Sequence, residues 1–577
     1  METVAHPEPR ADARPPARPG TLARHPRTPS PAPAVPASAR EMVQNALLGQ
    51  RVQPAANVPI DSEYAARPFH VVLVTIYSVE NAGIRYVSAA LKRAGFDTTI
   101  VFLRDWRHNQ LEMPSDREFR MVLDIIRQKG ADMVGVGFMS SLLPMARELS
   151  KRIKATFPDT PLVWGGIHPT SVPAECMKDT DYLCVGEGEL AAIDLATALR
   201  DGLPTHNIPN IWANLDGQIY QNKPRPLMQE LDWLPYPDVV DDNKYYIEGG
   251  KVRIEEPWKR TAEYRIYFSR GCPYNCSYCY VSILRDVYNE KGRQFYRARS
   301  VQHILGELEY IRTEFAKTAR IKIDDDTSFA FGQEWMDEFL SEYPKRVGVP
   351  FECLLIPPMM RPDMLKKLME VGLIRVQTGI ESGSSKESKE IHNRSPGNTS
   401  ILKFAEANKE MGLDVVYDVI IDNPHATEEM KIETAEFLLQ LPLPYSIYFY
   451  SLNYFPGTVL TKKGLADGSL KFEEVEGQSH KAWHQFRVSM DWPRSDEDKF
   501  YLAIFCLASK GFVPRPFIRK LIDEREIWKK NVEPIFLLAW ASNYIRMFYV
   551  AMKYFERGEL TWFKIRQYGS LRKLISQ

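Results

Sequence analysis

The stretch Arg270-Gly-Cys-Pro-Tyr-Asn-Cys-Ser-Tyr-Cys-Tyr280 sets Cys272, Cys276 and Cys279 in a C-x3-C-x2-C array. The chain has seven cysteines in 577 residues, so three within eight positions mark a site rather than a composition. Soft thiolates select zinc, copper(I) or iron–sulfur clusters. A structural zinc site closes with four ligands, and here the nearest histidines are His206 upstream and His303 downstream. Three thiolates on a cubane cluster leave one iron open, which suits a working site better than a closed knuckle. A distorted zinc site and a disulfide pair compete for the same residues.

Working outward, the array follows a strand-like run, Tyr264-Arg-Ile-Tyr-Phe-Ser269, expected to lead straight into it. Ser300 caps a helix to Phe315 whose inner face carries Ile304, Leu308 and Ile311. Further strands are expected at 319–324, 351–356, 374–381, 413–421 and 445–451, giving six strand–helix units between 264 and 456. Upstream, apolar runs at 69–75, 98–102, 133–138, 162–164 and 181–185 alternate with helical patterns ending at Gly95, Gly130 and Arg200. That alternation predicts a doubly wound parallel sheet, whose ligands bind outside the carboxyl ends of the strands.

The bulk numbers agree with an α/β protein of several domains. Hydrophobic residues make up 44%, charged residues 26%, and the formal net charge is zero, so no global field draws the chain to nucleic acid. An odd cysteine count without paired spacing argues against a disulfide framework and for a reducing, cytoplasmic setting. No apolar run reaches the length of a membrane span. Residues 7–36 hold ten prolines among Ala and Arg, so residues 1–66 are expected to be a disordered tail, without a signal peptide's apolar core. The remaining divisions are expected at 67–205, a first α/β domain; 206–262, a Pro-rich linker with a hairpin at Asp216-Gly217; 263–458, the cysteine-bearing core; and 459–577, a helical, aromatic C-terminal domain. Residues 550–577 carry six Lys/Arg against two Glu. They read as a solvated helical face, or as a basic amphipathic surface resting on a membrane.

The cysteine array resembles that of the radical S-adenosylmethionine (SAM) enzymes. The resemblance implies a [4Fe–4S] cluster on Cys272, Cys276 and Cys279, with SAM on the open iron, at the mouth of a partial (β/α)6 barrel. Tyr278, the aromatic residue before the last cysteine, is then expected near the adenine. Asp324-Asp-Asp326 stands where the family often has Gly-Gly-Glu-Pro; Asp324 and Asp325 become candidates for the SAM amino group. Gly379-Ile-Glu-Ser-Gly-Ser384 is closely family-like and makes Glu381 a candidate for the ribose or methionine end. Asp422-Asn-Pro424 departs from the family's Gly-x-Pro-Gly-Glu-Thr, and Tyr454-Phe-Pro-Gly-Thr458 matches its usual pattern. Tyr417, Tyr448, Tyr450 and Asn453 lie near strand ends that could face a substrate.

The upstream domain resembles the cobalamin-binding, Rossmann-like domain. Ser140-Ser-Leu142 after the third strand and Gly165-Gly166 after the fourth match its Ser-x-Leu and Gly-Gly motifs. Ser140, Leu142, Gly165 and Gly166 are thereby implied in cobalamin binding. Gly165-Gly-Ile-His-Pro-Thr170 and Val185-Gly-Glu-Gly-Glu-Leu190 resemble the variant found in front of radical SAM cores, which adds His168 and Glu187. His168 reads equally well as a loop histidine bonded to backbone, and Glu187 and Glu189 as complements to a helix dipole. The Asp-x-His-x-x-Gly cobalt-ligand motif is absent: the loop after Val74 holds no histidine, and Asp105 and His108 have the wrong spacing. The combined resemblance implies a cobalamin-dependent radical SAM enzyme. The leading reading is a C-methyltransferase that uses a 5′-deoxyadenosyl radical and methylcobalamin on a small-molecule or lipid-like substrate, with an external electron donor of the flavodoxin or ferredoxin type. The alternatives are an oxidative cyclase, a methylthiotransferase acting on tRNA and a non-enzymatic corrinoid-binding sensor.

Overall fold

The computed structural model describes residues 69–106, 112–289, 292–315, 317–359, 361–394, 397–471, 475 and 494–556, all within a unit spanning residues 60–577. The Pro-rich tail, His108, the aromatic residues Trp483, Phe486 and Trp492, and the basic stretch 557–577 lie outside the described residues.

The upstream strands are β1 (His70–Ile76), β2 (Asp97–Leu103), β3 (Met133–Gly137), β4 (Leu162–Gly165) and β5 (Tyr182–Cys184). They lie parallel in the order β5-β4-β3-β1-β2. Helices on both faces bury nearly every side chain of β1 and β2, which is why these strands read as continuous apolar runs. The direction of winding reverses between β1 and β3, and a ligand crevice forms at such a switch. The helical pattern that ends at Gly130 begins at Asp116. Ser115 accepts the Glu118 N–H while the Glu118 carboxylate takes the Ser115 N–H, a reciprocal cap before the apolar pattern begins.

Residues 206–262, expected as a linker, are instead part of this sheet. β6 (Ile211–Leu215) and β7 (Gln218–Gln221) extend one edge beyond β5, and β8 (Lys244–Glu248) and β9 (Lys251–Ile254) extend the other beyond β2. Each pair is a hairpin closed by two residues with positive φ, Asp216-Gly217 and Gly249-Gly250, the geometry that matches strand twist. The outermost strands β7 and β9 are largely exposed, so this stretch has the polarity of a linker.

The second sheet contains β10 (Glu263–Ile266), then, after a short ribbon of β11 (Ser269–Arg270) and β12 (Arg297–Ala298), β13 (Arg320–Ile323), β14 (Phe351–Leu354), β15 (Leu373–Glu381), β16 (Asp414–Ile421) and β17 (Ser446–Ser451). Its order is β10-β13-β14-β15-β16-β17, parallel throughout, an open six-stranded barrel with helices outside. The first strand does not run unbroken into the cysteine loop. Asp325 takes the Phe268 N–H at 2.7 Å and the Ser269 N–H at 3.2 Å, so the chain leaves β10 and pairs as β11 with β12.

The helix Asp496–Ala508 is buried from Phe500 to its end, with Phe500, Tyr501 and Phe505 in the barrel's hydrophobic cluster. The last helix, Glu533–Glu556, packs against it and exposes Leu537, Ile545, Phe548 and Phe555. Among the described residues no helix is long and apolar enough to cross a membrane.

Candidate active site between the two sheets

A cavity of about 1580 Å³ lies between the carboxyl ends of the two sheets and draws its walls from both. On the upstream side its floor is bare backbone. Gly137 and Gly165 are register partners at the ends of β3 and β4. A Cβ on Gly137 would meet nothing within 4 Å and would project into open space. Gly166 has φ +104 and ψ −169, a conformation close to glycine's own, and a Cβ there would lie 2.6 Å from the Phe138 carbonyl oxygen. A side chain at Gly137 would fill this space and Gly166 holds the backbone turn beside it, so the floor fits the tail of a large cofactor lying against the main chain.

The other upstream candidates divide. Leu142 lines the cavity with Gly165, Gly166 and Glu187. Ser140 and His168 are buried and pair with each other, Ser140 Oγ to His168 Nδ1 at 2.9 Å; neither lines the cavity. The loop after β1 brings Ser78, Glu80 and Asn81 to the wall, and Glu80 reaches Arg265 of β10 at 3.3 Å.

A clean separation follows for the cradle. Gly166→Ala combines a strained backbone with a clash and is expected to destabilise the protein by about 1–3 kcal/mol and to lose bound cobalamin. Gly137→Ala should change stability by less than about 1 kcal/mol yet still weaken cobalamin uptake. Thermal unfolding beside the absorbance of retained cobalamin reads both; full uptake in the two variants would show that the glycine floor is not the cradle.

On the barrel side, Cys272, Cys276 and Cys279 line the cavity and none is in a disulfide. Among the described residues no three His, Cys, Asp or Glu side chains converge as a site for a metal ion. In a cluster each thiolate takes its own iron. Burial pushes the Cys272 thiol up to about 11 and raises Cys279 as well, so the charge of a metal centre is needed to hold these ligands as thiolates. Arg285 donates to the Cys272 carbonyl at 2.8 Å, and Ser277 N–H to the His392 carbonyl at 3.0 Å, pinning the loop.

The three aspartates after β13 have three different environments. Asp324 lines the cavity and is paired with Arg265 at 3.2 Å and Lys322 at 3.3 Å. Asp325 is buried away from it, holding Phe268, Ser269 N–H and Ser269 Oγ; burial pushes its carboxyl up to about 8 against those bonds. The sequence candidate Asp325 is thus a brace for the cysteine loop rather than a cavity residue. Asp326, not singled out from sequence, faces the cavity and accepts the Tyr280 hydroxyl at 3.0 Å.

Glu381 ends β15 at a register shift and takes φ +63. It folds back over Gly379, where a Cβ would sit 2.1 Å from Glu381 Oε1. Burial holds its carboxyl above the usual range, with Arg394 and Tyr278 opposing. Tyr278 lines the cavity with its ring edge-on to His392 at 5.3 Å. Arg394, missed by the sequence reading, donates to the Gly379 carbonyl at 2.8 Å and to Cys276 Sγ at 3.7 Å, and stands 3.9 Å from Glu381. Only the fold brings this arginine to the cysteines.

Deeper in the barrel, Gln377 donates to both Asp418 oxygens at 3.0 and 2.9 Å and lies 3.3 Å from the Tyr450 hydroxyl. Tyr448, Tyr450 and Asn453 line the cavity; Tyr417 does not, and packs in the core against Tyr445.

One cavity thus joins a glycine-floored crevice on a doubly wound sheet to a three-cysteine loop on an open barrel. Residues 70–196 match the B12 binding domain, and residues 266–438 match the Radical SAM superfamily. The chain belongs to the radical SAM enzymes that carry a cobalamin-binding domain, and its cofactors are cobalamin, a [4Fe–4S] cluster and SAM. It is 26% identical over 363 residues to an uncharacterized methyltransferase of Pyrococcus horikoshii, covering 62% of this chain and 74% of that one. It is 25% identical over 378 residues to the anaerobic magnesium-protoporphyrin IX monomethyl ester cyclase of Rubrivivax gelatinosus, covering 62% of this chain and 60% of that one. The fold matches the radical SAM methyltransferase TsrM from Kitasatospora setae, solved with cobalamin and a [4Fe–4S] cluster, with a TM-score of 0.56 at 16% identity over 82% of this chain and 99% of that one.

Proposed function

We propose that this protein is a cobalamin-dependent radical SAM C-methyltransferase acting on an unactivated carbon of a small molecule. The observation that carries the reading is the single cavity bordered by both the glycine cradle and the cysteine loop. When bound, the three cofactors supply a 5′-deoxyadenosyl radical and a transferable methyl group. The chain supplies binding and orientation. Cys272, Cys276 and Cys279 hold the cluster; Tyr278, Asp324, Asp326 and Glu381 border the space left for SAM; Leu142, Gly137, Gly165 and Gly166 form the wall for cobalamin. Gln377, Asp418 and Tyr450 make the deep end polar, which favours a substrate with hydrogen-bonding groups near the methylated carbon.

Cys176, Cys184, Cys353 and Cys506 are each buried in a core, so they do not offer the second cluster a methylthiotransferase needs, and an external donor of the flavodoxin or ferredoxin type would reduce the one cluster. The cyclase relative supports a second reading, oxidation or ring closure with the same cofactors. Reconstituted protein given SAM labelled in its methyl group, a reductant and candidate substrates separates the two. Label in the product is expected; SAM cleavage with product formation but no label in it would replace methyl transfer by the second reading.

A further inference from the structure

The loop Gly186-Glu-Gly-Glu189, between β5 and the helix Glu189–Arg200, is fastened to the barrel rather than spent on its own sheet. Arg270 and Arg297 are direct cross-strand partners in the β11–β12 ribbon, and Arg270 immediately precedes the cysteine loop. Like charges opposite one another in a ribbon repel, and the Arg297 side chain is only 3% exposed. Two carboxylates from the cobalamin-binding domain neutralise them. Glu189 bonds Arg270 at 2.5 Å. Glu187 pairs with Arg297 and lies 3.5 Å from Arg270; burial opposes its charge, but the two arginines outweigh burial and hold its carboxyl below the usual range.

The backbone is seated as closely as the charges. Glu187 N–H donates to the Tyr288 hydroxyl at 2.6 Å, on the helix Val281–Tyr288 that follows the cysteines. Gly186 has φ +90, and a Cβ there would fall 2.1 Å from the same hydroxyl oxygen. The loop therefore grips the chain on both sides of the cysteine loop, before it at Arg270 and after it at Tyr288. Gly186, Glu187 and Gly188 also line the cavity on the cradle side.

We propose that Glu187 and Glu189 are positioning residues, which set the cysteine loop at a fixed distance from the cobalamin cradle. They act through Arg270, Arg297 and Tyr288. Partly buried carboxylate–guanidinium pairs, with Arg297 and Glu189 the most enclosed members, make a stiff link, and a radical made at the cluster is useful only when the methyl donor is held in register with it.

The inference rests on both cofactors being bound, and its test reads a distance rather than turnover. Full-length protein is loaded with cluster and cob(II)alamin, both contents are measured, and pulsed EPR reads the separation of the reduced cluster and the cobalt. The wild-type chain should give one narrow distance. Glu187→Gln with Glu189→Gln should bind both cofactors while the distribution roughly doubles in width, and Glu189→Gln alone, which leaves Glu187 between the arginines, should fall between. Unchanged width in the double variant overturns the inference. If that variant does not fold, unchanged width in Glu189→Gln overturns it. A wild-type chain that takes up the cluster but no cobalamin would sink the functional reading together with this one, whereas normal uptake of both with unaltered distances sinks this one alone.

Discussion

Replacing any one of Cys272, Cys276 and Cys279 by alanine is expected to remove the cluster and to lower SAM cleavage by at least about 10³-fold, about 4 kcal/mol of barrier. The four remaining cysteines are each buried in a hydrophobic core, Cys353 and Cys506 in the barrel's and Cys176 and Cys184 in the two clusters of the upstream sheet. Cys506→Ala is the matched control. Its sulfur bonds the Ala539 carbonyl at 3.7 Å within the C-terminal helices, so its loss should leave iron, sulfide and cleavage unchanged. Iron and sulfide per chain, with the 5′-deoxyadenosine released under reductant, check both. Retention of cluster and cleavage in a Cys276→Ala variant would remove the assignment of the array as cluster ligands.

The largest effect on stability is expected at Arg85. Arg85 and Glu256 have wholly buried side chains, joined by a two-pronged ion pair with Nε to Oε2 at 3.0 Å. Arg85 also donates to the Asn81 carbonyl at 3.0 Å and the Val79 carbonyl at 2.7 Å, and its guanidinium lies over the rings of Phe102 and Trp258. It ties the loop after β1, which borders the cavity, to the segment leading into the barrel. Arg85→Met leaves the Glu256 carboxylate without its cation, with the Trp258 N–H at 2.9 Å as a remaining donor. The expected cost is about 3–5 kcal/mol, measured by urea or thermal unfolding. Arg85→Met with Glu256→Leu should recover much of it, because the isolated charge rather than the lost pair is the main penalty. A single variant within about 1 kcal/mol of wild type would mean that water reaches Glu256.

What the sequence by itself determined was what is local or periodic. Three cysteines within eight positions define a ligand set without reference to the fold, and strands buried on both faces, such as His70–Ile76, announce themselves as apolar runs. Gly165-Gly166 is likewise a short signal of a backbone that must lie close to something else, and the structure adds the Phe138 carbonyl, which a Cβ on Gly166 would meet at 2.6 Å. The hairpin at Asp216-Gly217 was legible from its turn, but its place at the sheet edge and the second hairpin at Gly249-Gly250 were not, because a strand with one face in solvent has the polarity of a loop.

The tertiary structure alone decided partners. Asp324, Asp325 and Asp326 are the same residue three times over, yet one pairs with lysine and arginine on the wall, one turns back to the main chain of Phe268 and Ser269, and one faces the cavity. Ser140 and His168, both read toward cobalamin, take each other. Glu187 and Glu189 meet arginines 81 to 110 positions away, and Arg394 meets a cysteine 118 positions away. Alternation along a strand says which side a residue faces; it does not say which atom, brought in from another strand or domain, will satisfy its charge. A buried charge is stable only where such an atom is found, so the partners of these polar residues were fixed when the two sheets closed over one cavity.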